Sequence, residues 1–93
     1  MSVSIDVQGN VALIRMDDGK ANAINFEMLK GLNEALDRAE PQAKAIVLAG
    51  REGRFSGGFD LKVFANAEPE EVNRLLDEGA KMLIRLYGGP LLV

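Results

Sequence analysis

The spacing of the apolar residues changes at Asn25, and this change constrains the fold more than any other feature of the sequence. Before Asn25, apolar and polar residues alternate with the period of two that is typical of strands. After it, the apolar residues recur on one face of a helix: Met28, Leu29, Leu32, Ala35, Leu36 and Ala39. The continuous apolar run AIVLAG follows at residues 45–50. A strand, a helix and a second buried strand in this order predict a parallel pair of strands joined by a helical crossover.

Residues 3–16 predict a β-hairpin in front of that helix. Apolar and polar side chains alternate over residues 3–7, and a second apolar pattern covers residues 11–16. Gly9 and Asn10 between the two patterns are typical hairpin-turn residues. Asn25 is the predicted N-cap of the following helix, and Pro41 lies just beyond its predicted end.

A second long helix is predicted after a stretch of residues 50–60 that contains four glycines. A short helical segment covers residues 60–65, and Pro69 then occupies the first position of the long helix behind Glu68. Gly88 and Gly89 are its predicted end. Its predicted apolar face comprises Val72, Leu75, Leu76, Gly79, Ala80, Leu83 and Ile84.

The apolar tail Leu91–Val93 is interpreted as the start of a buried strand, because such a tail would favour aggregation if it were exposed. At 93 residues the chain can form at most one small domain. We therefore expect residues 1–93 to be either the N-terminal part of a larger α/β domain whose remainder is missing from this chain, or a chain that must pair with another.

Composition narrows the classes of function. The chain contains no cysteine and no histidine, which excludes disulfides, thiolate metal sites, imidazole bases and Ser-His or Cys-His triads among these residues. The net charge of -3 provides no basic surface for nucleic acid or for an anionic membrane. No signal peptide and no membrane-spanning run is found, so we expect a cytoplasmic protein.

The bend FSGGFDL, residues 55–61, has two interpretations. Gly57 and Gly58 could serve only to permit a tight turn. Alternatively, the bend leaves backbone N–H groups free to hold a negative oxygen, as loops at the carboxyl ends of strands in α/β sheets often do. The bend is not a P-loop, because Phe59 and Asp60 stand where lysine and serine or threonine are required, and the dinucleotide fingerprint is also absent.

The order of several motifs resembles the N-terminal portion of the crotonase superfamily, which is the enoyl-CoA hydratase/isomerase family. These are KANAI at residues 20–24, the helix, the run AIVLAG and the bend FSGGFDL. The resemblance implies a crotonase-like (ClpP/crotonase) α/β fold with a ββα spiral core, of which only the N-terminal part is present. It also implies that two backbone N–H groups stabilise a thioester enolate or similar oxyanion on acyl-CoA. One is that of Phe59, and the other belongs to a Gly-Gly segment that would follow the next strand.

The resemblance further implies which residues contact the coenzyme A (CoA) moiety. The backbone of the bend lies along the adenine and pantetheine, two lysines lie near the phosphates, and the residues after the first lysine flank the same groove. These predicted site residues are Lys20, Ala21, Asn22, Ala23, Gly57, Gly58, Phe59, Asp60, Leu61 and Lys62. Phe59 replaces the alanine that is commoner at this position in the family, and its ring would narrow the acyl pocket.

The implied activity is that of an enoyl-CoA hydratase or isomerase in fatty acid metabolism, whose acid and base carboxylates lie outside this segment. The substrate is a CoA thioester, and neither a metal nor a separate cofactor is expected. The full-length chain is expected to form a homotrimer or hexamer. Two alternatives remain open: a non-catalytic CoA-binding relative, and a stand-alone α/β interaction module in which the bend is only a turn. Asp60 could act as a base, but a carboxylate at the start of a helical turn more often caps N–H groups, and no histidine could activate Ser56 as a nucleophile.

Overall fold

A computed structural model describes residues 2–93 and contains one three-stranded sheet in the order β1-β2-β3. Strand β1 (Val3–Gln8) pairs with β2 (Val11–Met16) in antiparallel orientation, and β2 pairs with β3 (Ala45–Ala49) in parallel orientation. The helices are α1 (Phe26–Ala39), α2 (Leu61–Asn66) and α3 (Pro69–Gly88). The predicted hairpin, the helical crossover and the short helix after the bend are therefore confirmed.

The core lies between α1 and one face of the sheet. All six residues of the predicted apolar face of α1 are at most 5% exposed. They pack against strand residues of the same cluster: Val3, Ala12, Ile14, Met16 and Ile46. Burying each of the larger aliphatic side chains contributes roughly 1.5–3 kcal/mol. The N-cap of α1 is also as predicted, because the Oδ1 of Asn25 accepts a hydrogen bond from the N–H of Met28 at 2.9 Å.

The apolar face of α3 differs from the prediction. This helix buries Leu75, Gly79 and Met82, whereas Leu76, Leu83 and Ile84 are 43%, 59% and 69% exposed. The buried residues recur at intervals of four and three and form one narrow stripe. Positions one residue further along are rotated by about 100° and point past the contact with α1.

Helix α3 is attached to α1 by an arginine as well as by apolar contacts. The guanidinium of Arg85 donates to the carboxylates of Asp37 at 2.7 Å and Glu40 at 3.2 Å. It also donates to the Oδ1 of Asn33 at 2.8 Å. Arg85 thus satisfies three polar groups on one face of α1 and sets the position of the C-terminal half of α3.

The tail begins to extend the sheet at the free edge of β3. Leu92 forms a parallel bridge with Ala45, its carbonyl accepts from the N–H of Ile46 at 2.7 Å, and its N–H donates to the carbonyl of Lys44 at 3.1 Å. The tail therefore begins a strand as predicted, but it is not buried within this chain, because Leu92 and Val93 are 75% and 54% exposed.

The connection between β2 and α1 is organised by Asp18. Its Oδ1 accepts from the N–H groups of Lys20 at 2.7 Å and Asn22 at 3.1 Å. Partial burial acts to raise the pKa of this carboxyl, but those N–H groups, the N–H of Ala23 and the charge of Arg51 outweigh it and hold the pKa below its ordinary value of 3.8. The ionised carboxylate is therefore the form that stabilises this turn.

We expect the stabilising effect of Asp18 to be present at neutral pH and lost in acid. Because the folded-state pKa is lowered, the stabilisation is complete above the unfolded pKa and disappears as the pH falls through the folded value. Asp18→Asn should lower the free energy of unfolding at pH 7, and the gap from the wild type should shrink at pH 3. Urea unfolding at the two pH values measures this. A gap that stays constant or grows in acid would contradict the assignment.

A second prediction concerns Gly50, which joins β3 to the bend. A Cβ at this position would lie 2.5 Å from the Cα of Phe55 and closer still to the carbonyl oxygen of Arg54. Both are backbone atoms that side-chain rotation cannot move, so Gly50→Ala should lower the free energy of unfolding by roughly 1–3 kcal/mol. Gly88→Ala is the matched control, because no atom lies within 4 Å of its added Cβ. Equal stability of the two variants would show that the bend does not pack as described.

Candidate functional site

The site forms where residues 20–24 meet the glycine-rich bend, more than 30 positions later in the sequence. The two segments run parallel: the N–H of Gly57 donates to the carbonyl of Ala21 at 2.7 Å, and the N–H of Ile24 donates to the carbonyl of Gly58 at 2.7 Å. The N–H of Asp60 then donates to the carbonyl of Ile24 at 2.9 Å. The structure therefore brings together the two groups of predicted site residues.

The N–H of Phe59 differs from its neighbours in this pairing. Phe59 forms a parallel bridge with Ile24, in which Ile24 bonds to Gly58 and Asp60, so the N–H of Phe59 points away from residues 20–24. Within the part of the chain that the structure describes, no acceptor is bonded to that N–H.

Several other N–H groups of the bend already have acceptors. Gly57 and Asp60 donate to backbone carbonyls, Gly58 donates to the Oγ of Ser56 at 3.1 Å, and Lys62 donates to the Oδ1 of Asp60 at 2.9 Å. Parallel pairing with residues 21–24 and local side-chain caps satisfy these groups. Among residues 57–60, the N–H of Phe59 is the one without an acceptor; the N–H of Leu61, at the start of α2, has none either.

Asp60 acts as a helix cap in the structure. Its side chain is half-buried and caps α2 through the N–H of Lys62, while its second oxygen accepts from the Nδ2 of Asn25 at 3.4 Å. Leu61, the first residue of α2, is 76% exposed. This geometry supports the capping interpretation of Asp60 rather than a role as base.

Asn22 lies beneath the groove rather than on its surface. Its side chain is 0% exposed and is hydrogen-bonded to backbone groups of Met16, Asp18 and Phe55. The side chain of Asn22 therefore has no exposed surface in this structure, and the role of Asn22 in binding the CoA moiety stays a prediction.

The ring of Phe59 packs between the bend and α3. A Cβ at Gly79 would lie 2.8 Å from two carbons of this ring, so α3 approaches closely only because residue 79 has no side chain. The ring of Phe64 in α2 lies beside it, with 5.9 Å between the ring centroids. These contacts fix the side-chain direction of Phe59. Whether the ring narrows an acyl pocket stays a prediction.

An open cleft of about 420 Å³ adjoins the paired segments. Among the predicted site residues, Lys20, Ala21, Ala23, Asp60 and Lys62 line it. Gly57, Gly58, Phe59 and Leu61 lie outside its lining, as does the buried Asn22. Sequence reasoning missed the other lining residues: Ser2, Asp18, Asn25, Glu27 and Met28. The predicted N-cap at Asn25 could have identified Asn25, Glu27 and Met28, because it places the first turn of α1 directly after residues 20–24.

The charges of the cleft are mixed. Its lining contains the acids Asp18, Glu27 and Asp60 against the bases Lys20 and Lys62, so two positive and three negative charges sum to -1. An anion in the cleft would thus be bound by individual lysine ammonium groups, because the cleft as a whole has no positive electrostatic potential to attract it. Arg51 holds the neighbouring turn, since its Nη1 donates to the carbonyl of Lys20 at 2.7 Å.

Two classes of site are not found in the described range. Residues 2–93 contain no group of three or more His, Cys, Asp or Glu side chains placed to hold a metal ion. None of the helices over the same residues has both the length and the apolar character that a membrane crossing requires.

Comparison with known proteins assigns the chain to a family. The sequence model of the enoyl-CoA hydratase/isomerase family matches residues 6–93. A Bacillus subtilis protein named "probable enoyl-CoA hydratase" is 31% identical over 92 residues, which are 96% of this chain and 36% of that protein.

Solved structures show the same fold. An enoyl-CoA hydratase from Mycobacterium ulcerans has a TM-score of 0.88 and 39% identity, covering 92% of this chain and 38% of its own. An apo enoyl-CoA isomerase from Mycobacterium tuberculosis has a TM-score of 0.85 and 37% identity, covering 91% of this chain and 37% of its own. The chain therefore spans just over a third of the length of these relatives. Because the match runs through both the KANAI segment and the glycine-rich bend, and the crotonase fold recurs around them, this chain belongs to the enoyl-CoA hydratase/isomerase family.

Proposed function

We propose that this chain binds the CoA thioester in an enoyl-CoA hydratase/isomerase and donates the N–H of Phe59 to the thioester oxygen. The observation that carries the proposal is that this N–H lacks an acceptor and points away from residues 20–24, while the N–H groups of Gly57, Gly58 and Asp60 are paired. A preorganised donor is most effective where negative charge develops during the reaction. Removing one such donor from an oxyanion hole costs roughly 3–4 kcal/mol.

The cleft residues supply the proposed contacts to the CoA moiety. The ammonium groups of Lys20 and Lys62 bind phosphate oxygens, and Ala21 and Ala23 form an apolar wall beside them. The backbone of residues 57–61 lies along the adenine and pantetheine. Asn22 makes no direct contact in this proposal, because its side chain is buried.

The reaction type is set, in this proposal, by groups outside residues 1–93. The Mycobacterium tuberculosis relative is named a probable enoyl-CoA hydratase in one structure and an isomerase in another, so the relatives' names do not settle the reaction type. The second oxyanion donor and the acid and base carboxylates belong to the remainder of the domain. The trimeric or hexameric assembly of a full-length chain is part of the same proposal, while the cytoplasmic location and the absence of a separate cofactor stay predictions.

A backbone substitution tests the Phe59 donor. Replacing Phe59 by its α-hydroxy acid analogue changes one amide to an ester and removes only the N–H. The wild-type chain should bind crotonyl-CoA more tightly than free CoA, and the ester should reduce this preference by roughly threefold to tenfold, the value of one hydrogen bond. Isothermal titration calorimetry with both ligands measures the ratio.

Two controls accompany the ester. An ester at Glu70 removes a first-turn N–H of α3, which has no acceptor within the helix. Phe59→Ala keeps the N–H but removes the ring. The Glu70 ester and Phe59→Ala should both keep the preference for the thioester. A Phe59 ester that binds crotonyl-CoA as selectively as the wild type would overturn the proposal.

Lysine variants test the phosphate contacts. Lys20→Ala and Lys62→Ala should each weaken CoA binding by roughly threefold to tenfold at low salt, and the loss should decrease as ionic strength rises. Lys44→Ala is the control, because this exposed lysine lies outside the cleft lining. Crotonyl-pantetheine has no phosphates, so its affinity should not change in any of the three. An equal loss for crotonyl-pantetheine would show that the lysines act on something other than phosphate.

A further inference from the structure

We infer that Asn22 is the positioning residue that holds the glycine-rich bend in register with residues 21–24 and so aims the N–H of Phe59. Its effect on thioester binding rests on the function proposed above, whereas its effect on the bend does not. Asn22 belongs to neither the cleft lining nor the exposed surface. It therefore acts through the backbone that it holds.

The side chain of Asn22 bonds to three backbone groups in two separate parts of the chain. Its Nδ2 donates to the carbonyl of Met16 at the end of β2, at 2.9 Å, and to the carbonyl of Phe55 in the bend, at 3.0 Å. Its Oδ1 accepts from the N–H of Asp18 at 3.0 Å. Both amide protons and the amide oxygen are thus used, and each contact is to the backbone.

The backbone of Asn22 is linked by hydrogen bonds to the residue before Phe59. Its carbonyl accepts from the Oγ of Ser56 at 2.8 Å, and that Oγ in turn accepts from the N–H of Gly58 at 3.1 Å. The carbonyl of Gly58 then accepts from the N–H of Ile24. These bonds fix the peptide unit between Gly58 and Phe59, which carries the proposed donor.

Asparagine meets requirements at this position that other residues do not. Asn22 has a φ of 53°, a left-handed conformation that asparagine and glycine adopt more readily than other residues. Aspartate would lose both amide donors and place a carboxylate next to two carbonyls. Glycine would keep the backbone conformation and lose every side-chain contact. Asn22→Gly therefore separates the side-chain bonds from the strained φ.

Amide hydrogen exchange on the 93-residue chain tests whether Asn22 keeps the bend paired with residues 21–24. In the wild type, the amides of Gly57 and Asp60 should be protected and that of Phe59 should exchange fast. In Asn22→Gly, protection of Gly57 and Asp60 should fall at least tenfold more than protection of the amides in α1. Ser56→Ala, which removes one hydroxyl, should show a smaller loss of the same kind. Asn73→Ala, an exposed position on α3, is the control and should leave the bend unchanged.

Ligand binding tests the link to Phe59. The preference of Asn22→Gly for crotonyl-CoA over CoA should fall to about one while the α1 amides stay protected. If the amides of the bend and of α1 lose protection by the same factor, Asn22 only stabilises the fold and the inference is overturned. If the bend loses protection but the wild type itself never prefers the thioester, positioning of the bend is supported and the proposed function fails. A full preference retained in Asn22→Gly would also overturn the link to Phe59.

Discussion

The site depends on the parallel pairing of residues 21–24 with residues 57–60. This pairing is short, and the two partners are far apart in the sequence, so it needs support from outside itself. Asn22 gives that support from below, because its buried side chain bonds to the end of β2 and to the bend at once. Both segments pack against the core formed by the sheet and α1, through Ile24 and Phe59. The direction of the Phe59 N–H follows from that arrangement.

A second constraint reaches the same residue from α3. The ring of Phe59 lies against Gly79, and Arg85 joins the far end of α3 to three polar groups of α1. The main chain of Phe59 is thus positioned by residues 21–24, and its side chain is positioned by the packing of α3. A main-chain donor fixed by this backbone pairing needs little reorganisation when charge develops beside it, which is the condition under which such a donor is most effective.

Local patterns in the sequence were sufficient to predict the helices and strands. They were insufficient to predict the contacts between those elements. The change of period at Asn25, the cap at that residue and Pro69 at the start of α3 act within a few residues, so they predict helix bounds well. The burial of Asn22 depends on a bond to Phe55, 33 positions away, which no local pattern reveals. The exposure of Leu83 and Ile84 likewise depends on where α3 meets α1. The bend was located by its glycines, but which of its amides are free depends on residues 21–24.

The N–H of Phe59 can be observed directly by following its amide resonance in a ¹⁵N-labelled chain. We expect the Phe59 amide proton to shift downfield on titration with crotonyl-CoA but not with free CoA, because only the thioester brings an oxygen to this donor. The amides of Gly57 and Asp60, which already have acceptors, should respond equally to the two ligands. A Phe59 resonance that stays unmoved while the thioester saturates the chain would contradict the account.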